Sequence, residues 1–311
     1  MSNIIQSSGK SVARMKAKKA YAFHKPWETY AFLTPWILGF LIFTVGPVIL
    51  SFYYSFTRYD MFTSPEWIGL QNYRDMLNDR RLMDSIRVTF RFVFLTLPFQ
   101  LSFALLLAVI FKKQNFGVRY YRAIYYLPSL LGGSVGVAIL WRNIFNREGL
   151  FNQFLAIFGI EGRSWIASPD TVLYTLVALA VWQFGGTMVI FLGGLKQISP
   201  ELYESAEIDG AGKIQAFFKI TIPLLTPIIF FNTVMGIIGG FQAFTSAFIM
   251  SDGTGGPLNA TLFYSLYLFI RAFRHFAMGY AAAMAWLLLV IIAVFTALLF
   301  ASAKLWVYYD E

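Results

Sequence analysis

Long runs of apolar residues alternate with short polar segments along most of this chain. A helix needs about 20 apolar residues to cross roughly 30 Å of hydrocarbon. Six runs reach that length, near residues 30–57, 88–111, 120–145, 171–195, 220–250 and 277–303, and no acidic residue interrupts them. The pattern therefore predicts an all-α integral membrane protein with six transmembrane helices.

Proline and glycine make some of these runs irregular. The third is the least regular, because Pro128 and three glycines interrupt it. A proline lacks a backbone donor and kinks a helix, which suits helices packed around a cavity. For any single proline, the ordinary abundance of proline in membrane helices is the better explanation. The prolines in or beside the runs are Pro35, Pro47, Pro98, Pro128, Pro223 and Pro227.

The composition supports a membrane protein and limits its chemistry. Of 311 residues, 58% are hydrophobic and only 13% are charged, and the mean hydropathy is +0.60; soluble proteins are about 25% charged. The chain has no cysteine, which excludes disulfides and thiolate sites. The two histidines, His24 and His275, lie far apart in the sequence, so it offers no histidine-based metal site or catalytic triad.

The basic residues predict the orientation in the membrane. The formal net charge is +9, and all eleven lysines fall inside, or at inner helix ends, if the N-terminus is cytoplasmic. Arginines of the first outer loop, such as Arg80 and Arg81, weaken this asymmetry. We expect cytoplasmic N- and C-termini, a basic tail over residues 1–29 and a transmembrane domain over 30–311. The positive charge then reflects topology, and no nucleic acid partner is expected.

A hydrophilic segment, residues 199–219, separates the fourth and fifth runs. Ser199 followed by Pro200 and Glu201 is a typical helix start, and Gly210 is a typical helix end. A second short helix is predicted from about Gly212 to the fifth span. The segment combines acidic side chains with small residues that let a partner approach closely.

The same segment carries a recognisable spacing of residues. Glu204-Ser205-Ala206 is followed by Gly210, then by Ile220 and Ile222-Pro223, and Asp209-Gly210-Ala211 lies in the middle. In this arrangement the chain resembles the inner-membrane permeases of binding-protein-dependent ABC importers. It departs from their pattern in Ser205, where alanine is usual, and in Ile222, where leucine is usual. Matching stretches elsewhere, including residues 67–73 and 149–152, resemble the maltose-permease-like sugar branch in its compact six-helix, type I form.

The resemblance implies a function and a set of partners. It implies a cytoplasmic coupling helix that fits a cleft in an ATPase subunit, made by Glu204, Ser205, Ala206, Asp209, Gly210 and Ala211. The expected partners are a second permease subunit, two ATP-binding cassette subunits, an extracytoplasmic sugar-binding protein and the bilayer of the bacterial inner membrane. ATP and Mg would be bound by the ATPase subunits, so this chain would not be an enzyme. A homodimer is the less usual alternative to a second permease chain.

Two other features of the sequence invite interpretation. Gly210 to Lys213 superficially resembles a phosphate-binding loop, but Glu207 and Ile214 occupy positions where that loop needs glycine and Ser or Thr. The stretch from Tyr264 to Phe276 is apolar, but Arg271, Arg274 and His275 shorten it. We expect it to form a helix at the outer surface, packed against the rim.

Polar and aromatic side chains within the fourth and fifth spans predict a substrate pathway. Sugars are bound by aromatic faces together with amides and hydroxyls, and a buried amide in a membrane helix is unfavourable unless it meets a partner or water. Such groups also join helices to one another, which is an equally good explanation for any one of them. The candidates are Trp182, Gln183, Thr187, Asn232, Phe241, Gln242 and Ser246.

The main alternative is an ion-coupled secondary transporter. Proton coupling usually requires an acid or a histidine inside the membrane, and no acid lies in the middle of any predicted span. Sodium coupling through backbone carbonyls stays open on this criterion. A membrane-embedded enzyme would need clustered catalytic groups, which the sequence lacks. The sequence does not identify the sugar, although its aromatic richness favours an oligosaccharide.

Overall fold

The computed structural model describes residues 26–112 and 116–308. The chain divides into two compact units, of which the first ends at Tyr53 and the second begins at Tyr54. Most of the predicted tail, residues 1–29, lies outside the described residues. Its last four residues already belong to the first helix, which begins at Pro26.

The first unit is an apolar helix with one wider turn. A π-helical turn, Leu41–Val45, connects α1 (Pro26–Phe40) to α2 (Gly46–Tyr54). The turn lies just before Pro47, which lacks a backbone N–H and whose ring clashes with regular α-helical geometry. Tyr30–Tyr54 is a 25-residue apolar stretch, long enough to cross a bilayer. The predicted first span is confirmed.

The second unit begins with a small hairpin. β1 (Thr57–Arg58) pairs antiparallel with β2 (Glu66–Trp67), and α3 (Gln71–Asn78) follows. The buried Asn72 side chain donates from Nδ2 to the carbonyls of Ser55 and Thr57, each at 2.9 Å. These bonds hold α3 against the start of the hairpin.

The rest of the second unit is helical. Its helices are α4 (Arg80–Ile110), α5 (Phe116–Leu131), α6 (Val135–Ile144), α7 (Leu150–Ile157), α8 (Val172–Trp182), α9 (Gly185–Gln197), α10 (Pro200–Ile208), α11 (Lys213–Ala216), α12 (Ile222–Phe241), α13 (Thr245–Met250), α14 (Tyr264–Phe269) and α15 (Met278–Trp306). Among the described residues, four helical stretches are long and apolar enough to span a membrane, and six when each of two bent pairs is one span. The predicted all-helical membrane fold is confirmed.

Two of the predicted spans are bent. The third consists of α5 and α6, which meet at 104°, and the fourth consists of α8 and α9, which meet at 42°. At the sharper bend Gly133 has a φ of 75°, a left-handed conformation that favours glycine. Ser134 then caps α6 by accepting a hydrogen bond from the Val137 amide at 3.3 Å. The glycines therefore form a corner, where the sequence predicted a single irregular helix.

Several predicted boundaries need correction. α4 begins at Arg80, eight residues before the predicted span, because the Asp79 carboxylate caps it by accepting from the Leu82 amide at 3.1 Å. The short helix α11 is not separate, since a π-helical turn, Phe217–Thr221, joins it to α12. Ser199 occupies the cap position of α10 but makes no side-chain capping bond.

The segment around α14 is buried, which corrects the predicted surface location. The Tyr264 amide donates to Thr89 Oγ1 of α4 at 2.8 Å, and the Tyr264 hydroxyl donates to the Met284 carbonyl of α15 at 2.7 Å. Tyr264 is only 1% exposed. α14 therefore packs between two long helices.

The core of this unit consists of two apolar clusters, and α4 contributes to both. The first cluster joins the N-terminal half of α4 to α8, α14 and the start of α15. The second joins the C-terminal end of α4 to α9 and to Leu225 of α12. α4 is thus the helix of this unit that takes part in both clusters.

Candidate functional site

A cavity of about 610 Å³ lies among α4, α8, α9, α12 and α13. Its size is within the usual range for small-molecule sites, about 300–1,000 Å³. Rings of Phe92, Phe231 and Phe244 line it together with amides and hydroxyls. Such a lining can bind a molecule that has both apolar faces and many hydroxyls. The polar lining residues are Thr96, Gln100, Gln183, Thr187, Asn232, Thr245 and Ser246.

Four predicted pathway residues line this cavity and three lie elsewhere. Gln183, Thr187, Asn232 and Ser246 line it. The Trp182 ring packs against Trp141, with centroids 5.7 Å apart. Phe241 is buried against the rings of Phe90 and Phe295. Gln242 lines a different cavity, beside α15.

Small residues at the two bends bring α5 close to α9 and place Gln183 in the cavity. A Cβ added at Gly132 would lie 3.0 Å from Gln183 Oε1, and one added at Gly185 would lie 2.7 Å from the Tyr125 carbonyl oxygen. Side chains larger than hydrogen would push these elements apart. Gly132 of the third predicted span and Gly185 of the fourth thus allow α5 to lie close to α9.

The sequence analysis missed two polar lining residues on α4. Thr96 and Gln100 are four residues apart and therefore share one face of the helix. The Thr96 hydroxyl is buried without a hydrogen-bond partner among the described residues. That spacing was visible in the sequence and could have identified both residues.

The predicted coupling segment ends in a well-defined helix C-terminus. After α10, the Gly210 amide donates to the Glu207 carbonyl at 3.0 Å and the Ala211 amide donates to the Ala206 carbonyl at 2.8 Å. This pair of hydrogen bonds is the Schellman motif, which requires a residue in the left-handed conformation. Gly210 provides it with a φ of 80°. The helix therefore ends at Gly210, as the sequence predicted.

The coupling segment presents an exposed surface with an apolar tip. Glu204, Ser205, Asp209 and Gly210 are exposed, whereas Ala206 and Ala211 are half-buried. Ile208 is 87% exposed and Ile214 is 76% exposed. Exposed isoleucines beside carboxylates suit a protein interface. Neither isoleucine was among the predicted coupling residues.

Tyr203 connects the coupling segment to two membrane helices. Its hydroxyl forms a hydrogen bond of 2.8 Å with Thr221 Oγ1, in the turn that leads into α12. The ammonium of Lys112, just beyond α4, lies 4.3 Å from the centre of the Tyr203 ring. A displacement of α10 would therefore move the start of α12 and the end of α4.

Comparison with known proteins identifies the family. A family model described as "Binding-protein-dependent transport system inner membrane component" matches residues 79–306, well over half of the chain. The chain belongs to this family. It is a permease component of the inner membrane and not itself a catalytic enzyme, and the alternative of a secondary transporter is not favoured.

Individual relatives agree with the family match. The permease is 52% identical over 281 residues to the "Probable ABC transporter permease protein YesP" of Bacillus subtilis (strain 168), covering 90% of this chain and 91% of the relative. It is 30% identical over 288 residues to the "Arabinooligosaccharides transport system permease protein AraP" of the same organism, covering 91% of each chain.

A solved structure has the same fold. A chain of the bacterial alginate ABC transporter, crystallised with its alginate pentasaccharide-bound periplasmic protein, matches with a TM-score of 0.77. The match covers 89% of this permease and 94% of that chain, at 22% sequence identity. At this identity the similarity establishes the fold of the permease.

Proposed function

We propose that this chain is one of two permease subunits of an ATP-driven, binding-protein-dependent sugar importer, and that it carries oligosaccharides. The observation that carries the proposal is the exposed α10 segment connected through Tyr203 to α12, which lines the polar cavity. The relative named for arabinooligosaccharides supports the substrate class.

The proposal includes the partners that the family resemblance implies. Two ATP-binding cassette subunits hold ATP and Mg and dock on Glu204, Ser205, Ala206, Asp209, Gly210 and Ala211. The second permease subunit completes the cavity, and an extracytoplasmic binding protein delivers the sugar from the opposite face. Residues 1–29 form a cytoplasmic tail, and residues 30–311 form the permease domain.

The end of α15 supports a cytoplasmic C-terminus in this proposal. The Tyr308 amide donates to Thr226 Oγ1 near the start of α12 at 2.8 Å. Thr221, which bonds to Tyr203, lies in the turn before the same helix. The described end of the chain is therefore on the same side as the coupling segment, and Lys304 lies there too, as basic residues do on cytoplasmic sides.

Transport in this proposal is alternating access. Closure of the ATPase subunits moves α10, and the contacts of Tyr203 transmit that motion to α12 and α4. Both helices line the cavity, α12 with Asn232 and α4 with Thr96 and Gln100. Their movement exposes the cavity to one side of the membrane and then to the other.

The test is co-purification of the tagged chain with the ATPase subunit encoded by its chromosomal neighbours. We expect Gly210→Val to abolish co-purification, because a left-handed conformation costs a non-glycine residue roughly 1–2 kcal/mol and is worse for a β-branched one. Gly212→Val is the matched control, since Gly212 has a φ of −72° and open space around its Cβ position.

The outcomes separate the competing functions. Loss of the ATPase in Gly210→Val but not in Gly212→Val supports docking on this segment. An ATPase retained in both variants would mean a different docking surface. A wild-type chain that purifies alone and transports sugar without ATP would contradict the importer and favour the ion-coupled transporter.

A further inference from the structure

A charged recess of about 420 Å³ lies where α3, α4, α14 and α15 meet. Asp79, Arg81, Arg271 and His275 are among the residues that line it. None of its lining residues also lines the polar cavity between α4 and α12. A sugar within the polar cavity therefore does not contact the recess.

The recess lies at the opposite end of α4 from the coupling segment. α4 has 31 residues, and at about 1.5 Å of rise each it is about 47 Å long. Asp79 precedes its first residue, whereas Lys112, which contacts Tyr203, follows its last. If the coupling segment faces the cytoplasm, the recess faces the outside.

The acidic group at the base of the recess already has its own partners. Asp79 accepts hydrogen bonds from the hydroxyls of Tyr267 at 2.6 Å and Tyr280 at 2.7 Å, besides the Leu82 amide. Burial alone would raise the pKa of Asp79. These three donors and the nearby charge of Arg271 outweigh it, so the pKa lies below its ordinary value. The carboxylate is ionised, and most of its lone pairs already accept hydrogen bonds.

Aromatic rings hold the two arginines in place, and neither contacts a carboxylate at ion-pair distance in the described residues. The Arg271 guanidinium lies 4.2 Å from the centre of the Tyr280 ring, and that of Arg81 lies 5.5 Å from the Tyr267 ring. No ion pair involves either arginine in the described part of the chain. Arg271 Nε is buried without a hydrogen-bond partner there. Each guanidinium therefore keeps donors for another group.

Two further ionisable groups face the recess. Asp75 adds a second negative charge, but its Oδ1 already accepts from Gln71 Nε2 at 2.7 Å. Partial burial, followed by the charges of Arg271, Arg81 and Arg274, lowers the pKa of His275. His275 is therefore mainly neutral at pH 7, because burial and then the positive charges of these arginines disfavour its protonated form.

We propose that this recess receives an Asp or Glu side chain of the extracytoplasmic binding protein, which forms charge-assisted hydrogen bonds with Arg271 and Arg81. The inference rests on the proposed function, because it requires a binding protein on the outer side. Arginine binds carboxylates through two parallel N–H donors, and guanidiniums fixed by tyrosine rings lose little freedom on binding. The recess is separate from the sugar cavity, which favours a protein carboxylate over an acidic sugar.

The test measures the affinity of the binding protein encoded beside this chain for the complete transporter in lipid nanodiscs. We expect Arg271→Gln and Arg81→Gln to weaken binding about tenfold to a hundredfold each at low salt. Arg147→Gln is the control, since Arg147 is an exposed arginine outside the recess. Arg271→Lys keeps the charge without the planar fork, and we expect an intermediate affinity.

Size-exclusion profiles and melting temperatures identify any variant that fails to fold, and Arg81→Gln then provides the decisive comparison. Unchanged affinity in the recess variants, or equal loss in Arg147→Gln, would overturn the proposal. Galacturonate binding to the wild type but not to Arg271→Gln, with the affinity of the binding protein unchanged in that variant, would assign the recess to an acidic sugar and also overturn it. In all these cases ATP-driven uptake by the wild type leaves the proposed function intact.

Discussion

Single buried amides organise the loops of this permease. Asn152 donates from Nδ2 to the carbonyls of Asn146, Arg147 and Arg163, and it accepts from the Trp165 indole at 2.7 Å. One side chain therefore joins the segment before α7 to the loop that follows this helix. Asn72 has the same role beside the hairpin.

We expect Asn152→Asp to loosen the loop between α6 and α8. A carboxylate cannot donate, so the Arg147 and Arg163 carbonyls lose this donor, whereas the Asn146 carbonyl keeps the Gly149 amide. A buried group left unsatisfied costs about 1–3 kcal/mol. Trypsin digestion of the reconstituted permease should then cut faster after Arg147 and Arg163, with the cuts mapped by mass spectrometry.

Gln153→Glu is the neighbouring control for this prediction. Gln153 is exposed and donates one bond, to the Glu148 carbonyl at 3.0 Å. Its replacement should leave the digestion rate unchanged. Equal rates in Asn152→Asp and the wild type would mean that the loop is held by other contacts, such as the packing of Phe151 on Trp165.

For single residues, the sequence identified polar side chains inside the spans better than it identified the helix face on which each one lies. Gln183 and Asn232 were expected in a pathway because a buried amide needs a partner, and both line the cavity. Gln242 satisfied the same criterion but faces α15. The difference arises because α12 ends at Phe241 and the chain turns there, so the face on which residue 242 lies could not be read from helical spacing.

Among the helices, the angles at glycine and proline were the hardest features to predict. The third run contained the signs of a break, but the 104° between α5 and α6 depends on distant contacts. Arg142 of α6 bonds the Asp252 carboxylate at 2.5 and 2.7 Å, and Trp141 donates to the Thr175 carbonyl at 2.9 Å. Partners this far away in sequence cannot be identified from local pattern.

The contact between α9 and α12 is set by one glycine. A Cβ added at Gly194 would lie 2.0 Å from Ile228 Cδ1 and 2.9 Å from Leu225 Cδ2. Gly193, the preceding residue on the same helix, has nothing within 4 Å of its Cβ position. The two glycines therefore allow the packing effect of a side chain to be separated from its effect on helix propensity.

We expect Gly194→Val to destabilise the permease by about 1–3 kcal/mol, the usual cost of overpacking, whereas Gly193→Val should not. The melting temperature in detergent should fall by several degrees in the first variant only. Because α9 adjoins the coupling segment and α12 lines the cavity, uptake should fall as well. Equal melting temperatures in the two variants would show that Ile228 adapts to the added side chain.

For the whole molecule, the sequence predicted the apolar spans and the ends of α10 because both are local patterns. Apolar length defines a span, and a proline–glycine pair defines the ends of α10. The cavity is different, since its lining combines α4, α8, α9, α12 and α13. The shared face of Thr96 and Gln100 was visible in the sequence, but which helix faces meet around the cavity follows from packing over the whole unit.

Filling this cavity tests whether the sugar passes through it. Gly239 lines the cavity and has nothing within 4 Å of its Cβ position, so the Cβ of a phenylalanine there meets no neighbour and its ring occupies cavity volume. We expect Gly239→Phe to lower uptake of a labelled arabinooligosaccharide at least tenfold while the ATPase subunit still co-purifies. The permease would then assemble normally but have a blocked pathway.

Gly136→Phe provides the matched control for the same substitution. Gly136 is an exposed glycine of α6 that lies outside the cavity lining and also has nothing within 4 Å of its Cβ position. Its replacement should leave uptake close to the wild-type rate. If Gly239→Phe also transports normally, the sugar must follow another route, and the cavity beside Gln242 and α15 is then the one to fill next.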